Sequence, residues 1–210
     1  MHKNIISADD VKKKIQGKIL VIDHCSYSNI AITYLLKRHN LKVYTYNRIV
    51  NNNDFYKVNG VLMKLDGNLS IQVEELRELV KLLGKLRSDV SIIIMTYLSP
   101  SCIAALLELV ELPAVRLKRI VVIPTDLQVF YIEKMLSMHF CNSSSLTTLQ
   151  QPQAKLSERS RSALRAIIEN ISIESQALTW KSSYKTIHSH RYILCRKLNI
   201  KSIHSFLCGR

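Results

Sequence analysis

The chain has 210 residues, 47% of them hydrophobic, and a formal net charge of +14 at pH 7. That is enough apolar material for one large domain or two small ones, and the charge calls for a polyanionic partner, nucleic acid before membrane. No apolar run approaches the roughly 18 residues of a membrane span, no signal-peptide pattern opens the chain, and five cysteines without a CxxC pair make a poor disulfide framework, so reduced thiols in a cytoplasmic protein are expected.

In chain order, KILVID at 18–23 reads as a short buried strand ending in an acid, and Tyr27 to His39 as a helix with apolar Ile30, Tyr34 and Leu35. LKVYTY at 41–46 is rich in β-branched and aromatic residues and predicts a second strand, followed by a loop at Asn51 to Asp54. Gly60 to Leu65 predicts a third strand, after which Asp66-Gly67-Asn68 is turn chemistry leading to a helix headed by Ser70, with Val73, Leu76, Leu79, Val80 and Leu83 at helical spacing. Val90 to Tyr97 predicts a fourth strand, Ser101 to Leu112 a helix stopped by Pro113, Ile120 to Ile123 a fifth strand, and Asp126 to Met138 a helix. Five apolar strands alternating with helices require a parallel sheet covered on both faces, in a flavodoxin-like α/β order over residues 1–140. The loops after Asp23, Leu65 and Thr96 then share the rim at the carboxyl ends of the strands.

Residues 141–155, CNSSSLTTLQQPQAK, read as a linker. The C-terminal part, 156–210, is expected to be all helical: a capped amphipathic helix over 156–170 with Leu164, Ile167 and Ile168 inward, a shorter one over Ser172 to Trp180, and a basic third one. Residues 152–210 carry 11 Lys and Arg against 3 Glu, a net of +8, whereas residues 1–151 carry 19 against 13, a net of +6. The third helix, Ser183 to Leu198, places Ile187, Leu194 and Leu198 on one side and Lys185, His188, Ser189, Tyr192 and Arg196 on the other. Ser183 suits the N-cap, and Arg196 and Lys197 suit the negative end of the helix dipole. The outward side holds only groups that reach phosphates and base edges, which predicts a DNA recognition helix contacting double-stranded DNA through Ser183, Lys185, Thr186, His188, Ser189, Arg191, Tyr192, Arg196 and Lys197.

From 156 to about 207 the chain resembles the LuxR-type, or NarL/FixJ-type, helix-turn-helix domain of bacterial transcription regulators. The opening motif is matched by Leu156, Ser157, Arg159 and Leu164, with Ser160 in place of the usual Glu. The scaffold helix is matched by Ala177, with Gln176 in place of an apolar residue. Lys185, Thr186, Ile187, His188, Ser189 and His190, then Arg196-Lys197-Leu198, match the family's recognition helix, while Asn170 replaces a Gly and Trp180-Lys181 replaces Leu-Gly.

That family often carries a receiver domain in front, and the strand pattern of 1–140 is similar to one. A working receiver needs an Mg²⁺-binding carboxylate cluster, an Asp nucleophile, a hydroxyl residue and a Lys. Here Asp23 and Thr96 stand at two of those places, but Lys64 falls at the nucleophile position and Pro124-Thr125 at that of the Lys, which implies a pseudo-receiver. Asp66 is the one nearby alternative acceptor, and its place beside Gly67 and Asn68 fits a turn role. Asp23, Cys25, Ser26 and Tyr27 resemble a segment shared by capsule co-activators and mucoid-phenotype regulators of enteric bacteria. This implies a phosphorylation-independent activator of capsule genes, a virulence trait, paired with an intact response regulator as a heterodimer, the homodimer being the simpler alternative. Candidate dimer surfaces are Tyr27, Ile30, Tyr34 and Leu35 on the first helix and Val129, Phe130, Ile132 and Leu136 on the helix after the fifth strand, with Ile203, Phe206 and Leu207 adding a contact near DNA.

No catalytic set, cofactor or metal is expected. His188 and His190 lie about 200° apart on a helix, and no fourth ligand joins them and Cys195. The Lys12-Lys13-Lys14 run reads as a solvated face. Beside the DNA-binding regulator stands a second reading, a protein-interaction module that controls another regulator without reading DNA.

Overall fold

A computed structural model describes residues 17–46, 55–141 and 156–208. The Lys12–Lys14 run, the loop at 51–54 and the linker residues from 142 onward lie outside the described residues.

Five strands, β1 (Lys18–Ile22), β2 (Lys42–Thr45), β3 (Gly60–Lys64), β4 (Ser91–Thr96) and β5 (Ile120–Pro124), form one parallel sheet in the order β2-β1-β3-β4-β5. Because side chains alternate along a strand, Leu20, Val61, Met63, Ile92 and Ile94 enter one core, and Ile19, Val21, Leu62, Ile93 and Met95 enter another on the opposite face. The second core is closed by α1 (Ser26–Arg38) and α5 (Val129–Phe140) through Ile32, Leu36, Ile132 and Leu136. The first is closed by α2 (Leu69–Leu83), α3 (Pro100–Leu109) and the short α4 (Ala114–Leu117).

Helix starts follow side-chain caps. Asn68, not Ser70, caps α2, its Oδ1 accepting from the Ile71 amide at 3.0 Å. Ser99 caps α3 with Pro100 in the first turn, so that helix begins ahead of Ser101. Gly67, at φ +81°, makes the β3–α2 turn that a side chain would strain.

The remaining helices are α6 (Glu158–Ile168), α7 (Ile173–Trp180), α8 (Tyr184–Lys197) and α9 (Ile203–Cys208). Ser157, Ser172 and Ser183 cap α6, α7 and α8, each hydroxyl accepting from an amide three residues on. Helix α8 packs across α6 and α7, and α9 across α2 and α6. Leu156, Ala163, Leu164, Ile167, Leu194, Leu198 and Phe206 belong to the same buried cluster as the α2 and α3 side of the sheet. Across this junction Ser99 Oγ donates to the Leu198 carbonyl at 2.5 Å and Arg161 pairs with Glu108 at 2.6 Å. Among the described residues no helix is long and apolar enough to cross a membrane.

Candidate nucleic-acid interface

Helix α8 is held by its apolar side, with Ile187, Leu194 and Leu198 buried. Ser183, Lys185, Thr186, His188, Ser189, Tyr192, Arg196 and Lys197 are all exposed, Tyr192 by 64%. No residue of Tyr184–Lys197 is acidic. The first turn therefore offers free amides and the dipole's positive end to an anion, with Ser183 and Thr186 hydroxyls 2.9 Å apart beside them. Glu174 at the start of α7 is held below the usual range by its own backbone amide and the Ser172 hydroxyl, with His188 and Arg191 of α8 adding to the effect. Exposed Tyr184 and Ile193, 57% and 47% accessible, widen the face beyond the residues named from the sequence.

Arg191 departs from its expected place on the DNA face. It is buried, its Nε donating to Gln176 Oε1 at 2.8 Å and its Nη2 to the Ile171 carbonyl at 2.7 Å, so it ties α8 to α7 and to the α6–α7 turn. Burial holds its pKa below the ordinary guanidinium value. The signal in the sequence was Gln176, a polar residue where the scaffold helix should be apolar. His190 packs edge-to-face on Trp180, the ring centroids 5.7 Å apart. The left-handed turns that Gly would make are held by Asn170 at φ 52° and Lys181 at φ 48°.

On α1 and α5, Tyr27, Ile30, Tyr34, Val129 and Phe130 are each more than 60% exposed. The two helices are bridged by Arg38 to Glu133 at 3.1 Å, with His39, a cation only when protonated, 3.3 Å from the same carboxylate. Tyr131, 52% exposed and edge-to-face with Phe130 at 5.6 Å, also faces outward. Leu35, Ile132 and Leu136 do not, because helical spacing turns them into the sheet. Ile203, Phe206 and Leu207, expected to contact a partner near DNA, are half-buried or buried within the chain's own core instead.

At the rim, Asp23 Oδ1 accepts from the Cys25 amide at 2.9 Å and Oδ2 from the Ser28 hydroxyl. Lys64 Nζ donates to Ser28 Oγ at 3.2 Å and pairs with Asp66 at 2.5 Å. Burial works against the Lys64 charge, but the Asp66 hydrogen bond and the charges of Asp66 and Asp23 outweigh it and raise its pKa. The ammonium thus stands between Asp66 and the Ser28 hydroxyl that donates to Asp23. Thr96 is fully buried, its Oγ1 accepting from the Leu98 amide at 3.2 Å. Among the described residues no group of three or more His, Cys, Asp or Glu is placed to hold a metal ion.

Comparison with protein-family models and with curated proteins finds no match. Solved structures do match. RcsB from Salmonella enterica serovar Typhimurium bound to promoter P1flhDC in the presence of phosphomimetic BeF3- is 15% identical, with a TM-score of 0.58, over 91% of this chain and 96% of that one. The same protein bound to promoter rprA is 16% identical, with a TM-score of 0.56, over the same shares. A complex of the two-component response regulator RcsB with DNA is 16% identical with a TM-score of 0.51, over 91% and 96%. The likeness thus spans both the sheet and the C-terminal helices, and this chain has the fold of a full-length response regulator: a receiver-like α/β unit followed by a helical unit.

Proposed function

We propose that the chain is a transcription regulator that binds duplex DNA through α8 and works without phosphotransfer. The observation that carries this reading is the acid-free exposed side of α8, set at a helix whose buried side is anchored on α6 and α7. Ser183, Lys185, Thr186, Arg196 and Lys197 suit phosphates, and His188, Ser189 and Tyr192 suit base edges. That the matching RcsB structures are DNA complexes supports the same reading. The Asp23, Cys25, Ser26, Tyr27 segment extends it to an activator of capsule or exopolysaccharide genes. The exposed aromatic surface of α1 and α5 is the proposed contact with a response-regulator partner, or with a second copy.

The test is binding to promoter DNA across a salt series. Neutralising several phosphates makes affinity fall steeply with salt, and Lys185→Ala with Tyr192→Ala should abolish specific binding at moderate salt. Unchanged binding in that double variant removes α8 from the DNA and leaves the interaction-module reading. Promoter activation in cells deleted for every phosphorylatable LuxR-type regulator decides between partners, failing for a heterodimer and persisting for a homodimer.

A further inference from the structure

Between α2 and the carboxyl ends of β1 and β3 lies a cavity of about 650 Å³, the size of a small-molecule site. Ile22, Met63, Ile71, Leu79 and Leu82 make its walls apolar, and four carboxylates stand around it. Three of these have their own cation: Asp66 pairs with Lys64 at 2.5 Å, Glu74 with Arg77 at 2.8 Å and Glu78 with Lys81 at 2.7 Å. Glu75 differs. Its side chain is only 11% exposed, and its described ion-pair partner is the imidazole of His24 at 3.4 Å, which is 77% exposed and a cation only when protonated. The other oxygen, Oε2, is buried and accepts no hydrogen bond. A desolvated carboxylate beside apolar walls lacks a positive charge that an entering molecule can bring.

We propose that this cavity binds a small organic monocation with an apolar body, a primary alkyl- or arylalkylamine whose ammonium pairs with Glu75 while its hydrocarbon part lies against Ile71, Leu79 and Leu82. Neutral molecules of the same shape gain the walls but not the pair. Anions meet Asp66, Glu74 and Glu78 and are excluded. Burial, with Asp66 and Asp23 adding to it, pushes the Glu75 pKa up to about 7, so the carboxylate ionises across the neutral range. An alkylamine stays protonated there. Affinity therefore rises from pH 6 to pH 8. The charged groups around Glu75 are Asp23, His24, Asp66, Glu74 and Glu78; of these, the His24 imidazole is a cation only when protonated and needs its own control.

The experiment is calorimetric titration of the full chain with 4-phenylbutylamine and, separately, 4-phenylbutanol, at pH 6 and pH 8. The amine should bind at pH 8 with a Kd below about 1 mM, at least tenfold more tightly than the alcohol and several-fold more tightly than at pH 6. Glu75→Gln should weaken the amine tenfold or more and leave the alcohol unchanged, while His24→Gln should retain the rise with pH. Equal binding of amine and alcohol overturns the proposal, as does a Kd above about 1 mM at pH 8 or an undiminished amine affinity in Glu75→Gln. Near-UV circular dichroism establishes that Glu75→Gln is folded; if it is not, the pH response of His24→Gln decides, and a flat response overturns the assignment.

Discussion

Arg191 Nε donates to Gln176 Oε1 at 2.8 Å inside the packing between α7 and α8, and both side chains are buried. Each residue alone breaks a rule: a buried guanidinium is expensive, and an amide in the scaffold helix displaces apolar packing. Together they match one buried donor with one buried acceptor, while Gln176 Nε2 stays buried without a hydrogen bond. Gln176→Ile should cost about 2–3 kcal/mol in urea unfolding, because it leaves Nε of a buried cation without an acceptor. Gln176→Ile with Arg191→Met should recover a large part of that loss. If the two substitutions add instead, the pair is not coupled and the buried contact does not hold α8 in place.

Lys181 ends α7 at φ 48°, in the region where a side chain is strained. The turn closes normally, the Ser182 amide donating to the Ala177 carbonyl at 3.0 Å, so the strain persists without distorting α8. Left-handed backbone costs a side-chain-bearing residue roughly 1–2 kcal/mol, while Gly loses more freedom on folding by about 0.5–1 kcal/mol. Lys181→Gly should therefore stabilise the chain by about 0.5–1 kcal/mol in urea unfolding. Asn170→Gly should do less, since Asn tolerates this region better. A destabilised Lys181→Gly contradicts the strain.

Hydrophobic runs and spacing made the strands readable, because a parallel sheet buried on both faces needs continuous apolar segments such as Ser91–Thr96. The outward residues of α8 were equally readable from the 3.6-residue period. Arg191 was not, since it sits at the boundary between the two sides and a charge there reads as exposed until its partner is known. Phe206 and Ile203 were misplaced for a related reason. A short apolar segment shows that something covers it, not whether the cover is the same chain. Glu75 is one of several acids along α2, and its burial and its imidazole partner, in place of the Arg77 and Lys81 that pair with Glu74 and Glu78, become visible only in the structure.

Phe206, 2% exposed, brings α9 into the core that α2 and α6 share. Burial on that scale ties the helical part to the sheet, so the described parts should unfold together. Trp180 is the single tryptophan and reports on the helical part, while far-UV circular dichroism reports on the whole. The two denaturation curves should coincide. Phe206→Ala should shift both by about 3–5 kcal/mol. A Trp180 transition separate from the circular dichroism transition in the unaltered chain shows that the junction carries no cooperativity.

Lys64 pairs with Asp66 and donates to the Ser28 hydroxyl that Asp23 accepts from, so its ammonium supplies a fixed positive charge at the rim. Beryllofluoride and acetyl phosphate should therefore change neither DNA affinity nor oligomeric state, and Asp66→Ala should leave promoter binding intact. A response to beryllofluoride that Asp66→Ala abolishes makes Asp66 an acceptor and ends the phosphorylation-independent reading. Glu75 makes stability depend on pH. It is protonated in the folded chain up to about 7, raised by burial and by Asp66 and Asp23, whereas in the unfolded chain it ionises near 4.5. The folded state thus holds the proton longer, and this group makes unfolding easier as pH climbs from about 4.5 to 7. Glu75→Gln should flatten that trend. Lys64→Met removes the charged hydrogen bond to Asp66, which should cost about 1–3 kcal/mol in urea unfolding. An unaltered stability in Lys64→Met shows that the ammonium does not neutralise this rim.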